Sequence, residues 1–286
     1  MDRDVLCEMP IEDRIRHIQR DWFILYPRAK SILDKLSVLL EYPDNVRPPS
    51  FMIIGDPNNG KTSIANYFLK KHTPYEEPDG IKIPVIMVEA PAKPRFELLL
   101  GDLLLKMGVP FRHSESEGAK LEKLFYYMRE LEVKLIIVDE IHNVLSGTVL
   151  KQREFMNSLK RVVNESKRPL VLIGTKDALH AASTDYQIQS RFRPEFLPLW
   201  KFDNEFLSLL YTIQESLPLK NKSNLLEEKL ARTLYDYSEG ILGELVSLIK
   251  DLAISAIQSG KEKIDLRLIK EINWVPPSKR REIPIS

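Results

Sequence analysis

The chain has 286 residues, 29% of them charged and 43% hydrophobic, with a formal net charge of +1. This allows one large domain or two modest ones, and it excludes a global field for nucleic acid, so any such binding must come from local patches. A lone Cys7, no Cys/His cluster of zinc spacing, a charged start (MDRDVLCEMP) without the apolar core of a signal peptide and no run near the ~18 apolar residues of a spanning helix argue against a disulfide scaffold, a secreted protein and membrane spans.

A soluble, cytoplasmic protein is therefore expected. Residues 1–50 read as a helical lead-in, with an amphipathic helix from Ala29 to Leu40 ended by the prolines of YPDNVRPPS. From residue 51 short apolar runs alternate with helical stretches: FMII (51–54), VIMV (85–88), LIIVD (135–139), LVLIG (170–174) and the weaker FLPL (196–199). Continuous β-branched runs with long spacers suit strands buried on both faces, so residues 51–202 are expected to form a five-stranded parallel α/β sheet flanked by helices. Beyond Trp200 only helical spacing recurs, as in Ile241, Leu245, Leu248, Leu252 and Ala256. A small all-α lid domain is expected over 203–272, followed by a mobile tail over 273–286.

The stretch GDPNNGKTS carries the chemistry. Gly55 and Gly60–Lys61–Thr62 have the spacing of a phosphate-binding loop, here between a strand and a helix beginning at Thr62. Such a loop (Gly55, Asp56, Pro57, Asn58, Asn59, Gly60, Lys61, Thr62, Ser63) cradles phosphates with backbone N–H groups and a helix N-terminus. Lys61 would reach the β- and γ-phosphates of ATP, and the Thr62 hydroxyl would be a ligand of Mg²⁺.

LIIVDEIH supplies the complement: Asp139 at a strand end would hold Mg²⁺, and Glu140 would polarise the attacking water as general base. DEIH also resembles a helicase box, but the arginine-rich element of a second helicase domain is missing from the sequence. Thr175, ending LVLIGT, can bond the attacking water or the γ-phosphate. In QSRFRPEF, Arg191 or Arg193 would complete a neighbouring subunit's site, because the transferring phosphoryl group needs a further cation. Many lids aim an arginine at the γ-phosphate; here EGILGELVSL has Glu244 at that place, which predicts slow, assembly-dependent hydrolysis.

Loop, Asp-Glu strand, polar strand end, late arginines and helical lid, in this order, resemble an AAA+ P-loop NTPase. YPRAKSIL (26–33), GDPNNGKT (55–62), LIIVDEIHNVLSGT (135–148), KRPLVLIGTKDA (167–178), QIQSRFRPEFLPLW (187–200) and SEGILGELVSLIKDLAISAI (238–257) resemble the TniB family of transposition regulators, related to TnsC. The resemblance implies a bacterial, nucleoid-associated protein that binds ATP and forms rings or filaments of itself on double-stranded DNA. Its further partners would be a DDE transposase (TniA/TnsB-like) and a TniQ-type adaptor. It places Tyr26 and Pro27 near the adenine, and Lys93 and Arg95 of PAKPRFELL on DNA phosphates. An AAA+ helicase loader like the IstB and DnaC relatives is the alternative. A kinase of small molecules would need an acceptor pocket and a lid arginine, and the sequence offers neither.

Overall fold

The computed structural model describes residues 3–45, 47–183 and 190–282. By its contacts the chain divides into two units, one of Pro27–Pro57 and Lys61–Leu197, the other of Met1–Tyr26, Asn58–Gly60 and Pro198–Ser286.

The first unit is a parallel sheet between helices. Its five strands are β1 (Ser50–Gly55), β4 (Val85–Glu89), β5 (Leu135–Asp139), β6 (Leu170–Gly174) and β7 (Phe192–Leu197), in the order β4-β5-β6-β1-β7. The three inner strands are buried at every residue, which is why they read as unbroken apolar runs. Around them lie α3 (Pro27–Leu40), α4 (Lys61–Lys71), α5 (Phe96–Lys106), α6 (Glu117–Glu130), α7 (Val149–Ser166) and α8 (Lys176–Ser183). Their apolar faces and the sheet form one core, with Leu99, Leu124, Phe155 and Val163 among its least exposed members. Because all pairs are parallel, β1, β5 and β6 deliver their carboxyl ends to the same edge: Ile54 stands opposite Gly174, and Val138 opposite Leu172. Ligands of open α/β sheets bind at that edge, where the strand order switches, and the phosphate loop leaves β1 there.

Two details depart from the sequence reading. The last strand is Phe192–Leu197 and not 196–199, so Arg193 lies within it. The strand contains Pro194, which costs no ladder bond on an edge strand, and β7 is the sheet's edge. A short hairpin, β2 (Tyr75–Glu77) and β3 (Gly80–Lys82), was not anticipated; it turns at Pro78–Asp79, with Gly80 at φ +134°.

The second unit is helical. It comprises α1 (Arg3–Glu8), α2 (Ile11–Gln19), α9 (Asn204–Ser216), α10 (Glu228–Ser238), α11 (Leu242–Gln258) and α12 (Leu266–Glu271). Ile18 of α2 joins Phe206, Leu210, Leu248 and Leu252 in its core. Arg14, 1% exposed, donates from Nε and Nη2 to Pro218 O at 2.9 and 2.5 Å and from Nη1 to Glu262 Oε1 at 2.9 Å. Residues 274–280, expected to be mobile, carry contacts: Trp274 Nε1 donates to Tyr237 O at 3.1 Å, and Arg280 pairs with Glu244. Among the described residues no helix is long and apolar enough to cross a membrane.

Candidate nucleotide site

Gly55 closes β1 under tight restraint, since a Cβ there would stand 2.7 Å from Leu197 O. Asn58 and Gly60 take the left-handed backbone, at φ +57° and +87°, which folds the loop over into α4. Lys61 is buried and donates from Nζ to Gly55 O at 3.0 Å and to Asp56 O at 2.8 Å. Burial pushes its ammonium below the ordinary lysine range, while Glu140, Asp139 and Asp56 pull the other way. An arriving polyphosphate would replace the two carbonyls as its partner. Asp56 in turn faces Lys176, at 3.2 Å, a cation that the sequence reading missed. Its signal was the position directly after Thr175 at the end of β6.

Thr62 and Asp139 come together: Thr62 Oγ1 donates to Asp139 Oδ2 at 2.7 Å. Asp139 is 2% exposed, and its Oδ1 accepts from Glu140 N at 2.7 Å. A hydroxyl and a carboxylate converging at a helix start fit a hard divalent cation. Glu140 is left-handed at φ +53°, and its carboxylate is 40% exposed, with Oε2 3.0 Å from His142 Nδ1. Thr175 is half-buried and Ser63 exposed. Beside Thr62 opens a cleft of about 570 Å³, lined by Asn66, Glu89, Asp102 and Lys106 among others.

The loop tip Asn58–Gly60 makes its contacts in the helical unit. Asn59, 1% exposed, donates from Nδ2 to Pro198 O at 3.0 Å and accepts from Leu242 N at 3.4 Å. Its side chain fastens the loop, so its amide is not open toward a phosphate. Tyr26 is buried there too, its ring edge-on to Trp200 at 5.0 Å. Pro27, exposed, opens α3, where a missing N–H costs nothing.

The late arginines differ. Arg191 is half-buried in a cleft of about 520 Å³ that also involves Arg47, Lys160 and Arg161. Burial and the charge of Arg47 push its guanidinium below the usual arginine range, and its Nη1 is buried with no hydrogen-bond partner among the described residues. Arg193 is exposed on β7. Residues 187–189 of the same motif lie outside the described residues. Lys93 and Arg95 are exposed at the start of α5, with Arg95 Nη2 2.6 Å from Glu97 Oε1.

A family model described as the bacterial TniB protein matches residues 14–202, well over half of the chain. No curated protein matches. Among solved structures, the chain resembles the Aeropyrum pernix ORC2 protein, solved as ADPNP–ADP complexes, with TM-score 0.65 and 18% identity over 90% of this chain and 70% of that one. Cdc6p from Pyrobaculum aerophilum gives TM-score 0.66 and 16% identity over 95% and 74%. The Aeropyrum pernix ORC1 protein in complex with DNA gives 0.62 and 15% over 99% and 73%. At these identities the shared property is the fold, and the family comes from the matched span. The chain belongs to the bacterial TniB family and is an AAA+ ATPase.

Proposed function

We propose that this chain is an ATP-dependent assembly factor of DNA transposition. It polymerises on double-stranded target DNA and links target choice, through a TniQ-type adaptor, to a DDE transposase. The observation that carries the self-assembly is the register of β7. Arg191 directly precedes Phe192, which pairs with Ser50 at the start of β1, whereas the phosphate loop leaves the other end of β1 after Gly55, which pairs with Leu197. Five residues of strand span ~16 Å, so Arg191 cannot reach the loop of its own chain. A guanidinium in an open cleft, with one buried nitrogen unpartnered among the described residues, suits the phosphate of a second copy's nucleotide.

In the site itself, backbone N–H groups of Gly55–Ser63 hold the phosphates and Lys61 bonds the outer ones. Thr62 and Asp139 would hold Mg²⁺, which supplies neutralising charge when bound. Glu140 orients the attacking water and takes its proton, and Thr175 bonds the same water or the γ-phosphate. Arg191 of the adjacent copy stabilises the charge on the transferring group. Tyr26 and Pro27 stand where the purine would dock. Arg193, exposed beside Arg191, lies on the contact between copies.

The DNA assignment is supported by the family and by a neighbour in fold solved with DNA. Lys93 and Arg95 contact phosphates, which suits a protein indifferent to target sequence. The exposed Arg95–Glu97 pair is weak enough for a phosphate to displace.

Electron microscopy with an ATP analogue and random duplex DNA tests this reading. Long oligomers on the duplex are expected. Monomers under saturating nucleotide and DNA would refute it, and a preference for single strands together with helicase binding would favour the loader.

A further inference from the structure

The loop tip Asn58–Gly60 belongs by its contacts to the helical unit, and there it meets a carboxylate. Asn58 Nδ2 donates to Glu244 Oε1 at 3.2 Å, and Asn58 O accepts from Gly243 N at 2.9 Å. The approach is close: a Cβ on Gly243 would stand 2.7 Å from Asn58 O. Glu244 lies in the first turn of α11, where the positive end of the helix favours a negative charge. A carboxylate one hydrogen bond from a phosphate loop opposes the entry of a polyphosphate, because like charges at this range interact strongly when partly shielded from water.

That carboxylate is held by an arginine from 36 residues further along the chain. Arg280 donates from Nη1 to Glu244 Oε1 at 3.0 Å and from Nη2 to Oε2 at 2.5 Å, the two-pronged geometry in which a planar guanidinium binds best. The Glu244 side chain is only 12% exposed and that of Arg280 44%. Arg280 is itself anchored, since Nε donates to Val275 O at 3.0 Å and the guanidinium stands 5.2 Å from the centre of the Trp274 ring. Ser278 N adds a bond to Glu239 Oε2 at 3.1 Å, and Ser278 Oγ donates to the same carboxylate. The segment thus docks through several independent contacts, which hold its guanidinium on the largely buried Glu244 carboxylate.

We propose that Arg280 neutralises Glu244 beside the phosphate loop, so that the docked segment 274–280 sets the affinity of the chain for ATP. This rests on the reading that the loop binds ATP. Arg280 is a positioning residue: it acts through Glu244 and touches no nucleotide. While the segment is docked, the loop tip faces a neutral pair. When Arg280 is removed, or the segment is gripped elsewhere by a partner, an unpaired negative charge faces the incoming phosphates and ATP binds more weakly. The place where the sequence would put a lid arginine therefore holds a carboxylate whose countercharge comes from outside the lid helix.

Titration of the full chain with a fluorescent ATP analogue tests this. Arg280→Ala should weaken binding about tenfold, equivalent to ~1.4 kcal/mol. Arg280→Ala combined with Glu244→Gln should return it to within about threefold of wild type, because the charge needing compensation is gone. A merely structural role for Arg280 would give no such rescue. Unchanged affinity in Arg280→Ala, or a loss that Glu244→Gln does not repair, overturns the proposal. Failure of the wild-type chain to bind the analogue overturns the nucleotide reading and this inference with it, so the two failures are distinct.

Discussion

Glu140 has a left-handed backbone at φ +53°, which costs a residue with a side chain about 1 kcal/mol or more. The conformation turns its N–H onto Asp139 Oδ1 and leaves its carboxylate half-exposed beside His142. Asp139 thereby has both oxygens engaged, while Glu140 stays accessible to water, which is the division of labour expected of a metal ligand and a base. Glu140→Gln should keep ATP bound while phosphate release falls by ~10²-fold or more, read in one assay of retained nucleotide and one of turnover. An oligomer that dissolves faster than wild type would speak against the base. At this scale the sequence was most legible, because the loop and the Asp-Glu pair are fixed by spacing and by the ends of apolar runs. Lys176 on Asp56 and Arg280 on Glu244 escaped, since a pairing between residues 120 or 36 positions apart leaves no local pattern.

The elements divide in the same way. Strands at 51–54, 85–88, 135–139 and 170–174 were readable because burial on both faces demands unbroken apolar sequence. β7 was displaced because Arg193, Pro194 and Phe196 are exposed on an edge and give it no such run. The hairpin Tyr75–Lys82 is exposed nearly throughout, and only its Pro-Asp-Gly turn marked it. Nor does periodicity tell that α2 packs with the last helices, a contact made by Arg14 and Glu262 across 248 positions. The Arg14 guanidinium holds the Glu262 carboxyl below its usual range, against the opposing effect of burial. A carboxyl whose value is depressed by folding stabilises the folded state above its unfolded value, and this is lost as pH falls through the folded one. Acidification below the ordinary glutamate range should therefore weaken the helical unit. Glu262→Gln should flatten that part of the pH profile in thermal melts. Arg14→Ala, which leaves Pro218 O without its donor and Glu262 with only the Lys220 N–H, should cost ~3 kcal/mol at neutral pH.

For the whole molecule, the decisive fact is that loop and cation stand at opposite ends of the sheet. One strand length separates Gly55 from the level of Arg191, so on the proposed reading one chain would offer half of a site at each end and two chains in head-to-tail contact would make one whole site. Heterologous contacts of that kind propagate as rings or helical filaments, the assembly proposed above. Arg191→Ala should then bind ATP yet turn over at ~10⁻² of wild type or less, and Lys61→Ala should fail for want of nucleotide. The first keeps an intact loop and the second an intact arginine. Mixed in equal amounts, they form a working junction only where a loop of the first meets an arginine of the second. With random order that is up to about a quarter of junctions. Steady-state phosphate release on duplex DNA should accordingly recover toward that fraction of wild type in the mixture while each variant alone stays inactive. If release in the mixture stays at the level of the separate variants, Arg191 supplies no charge to a second copy's site and only supports the fold.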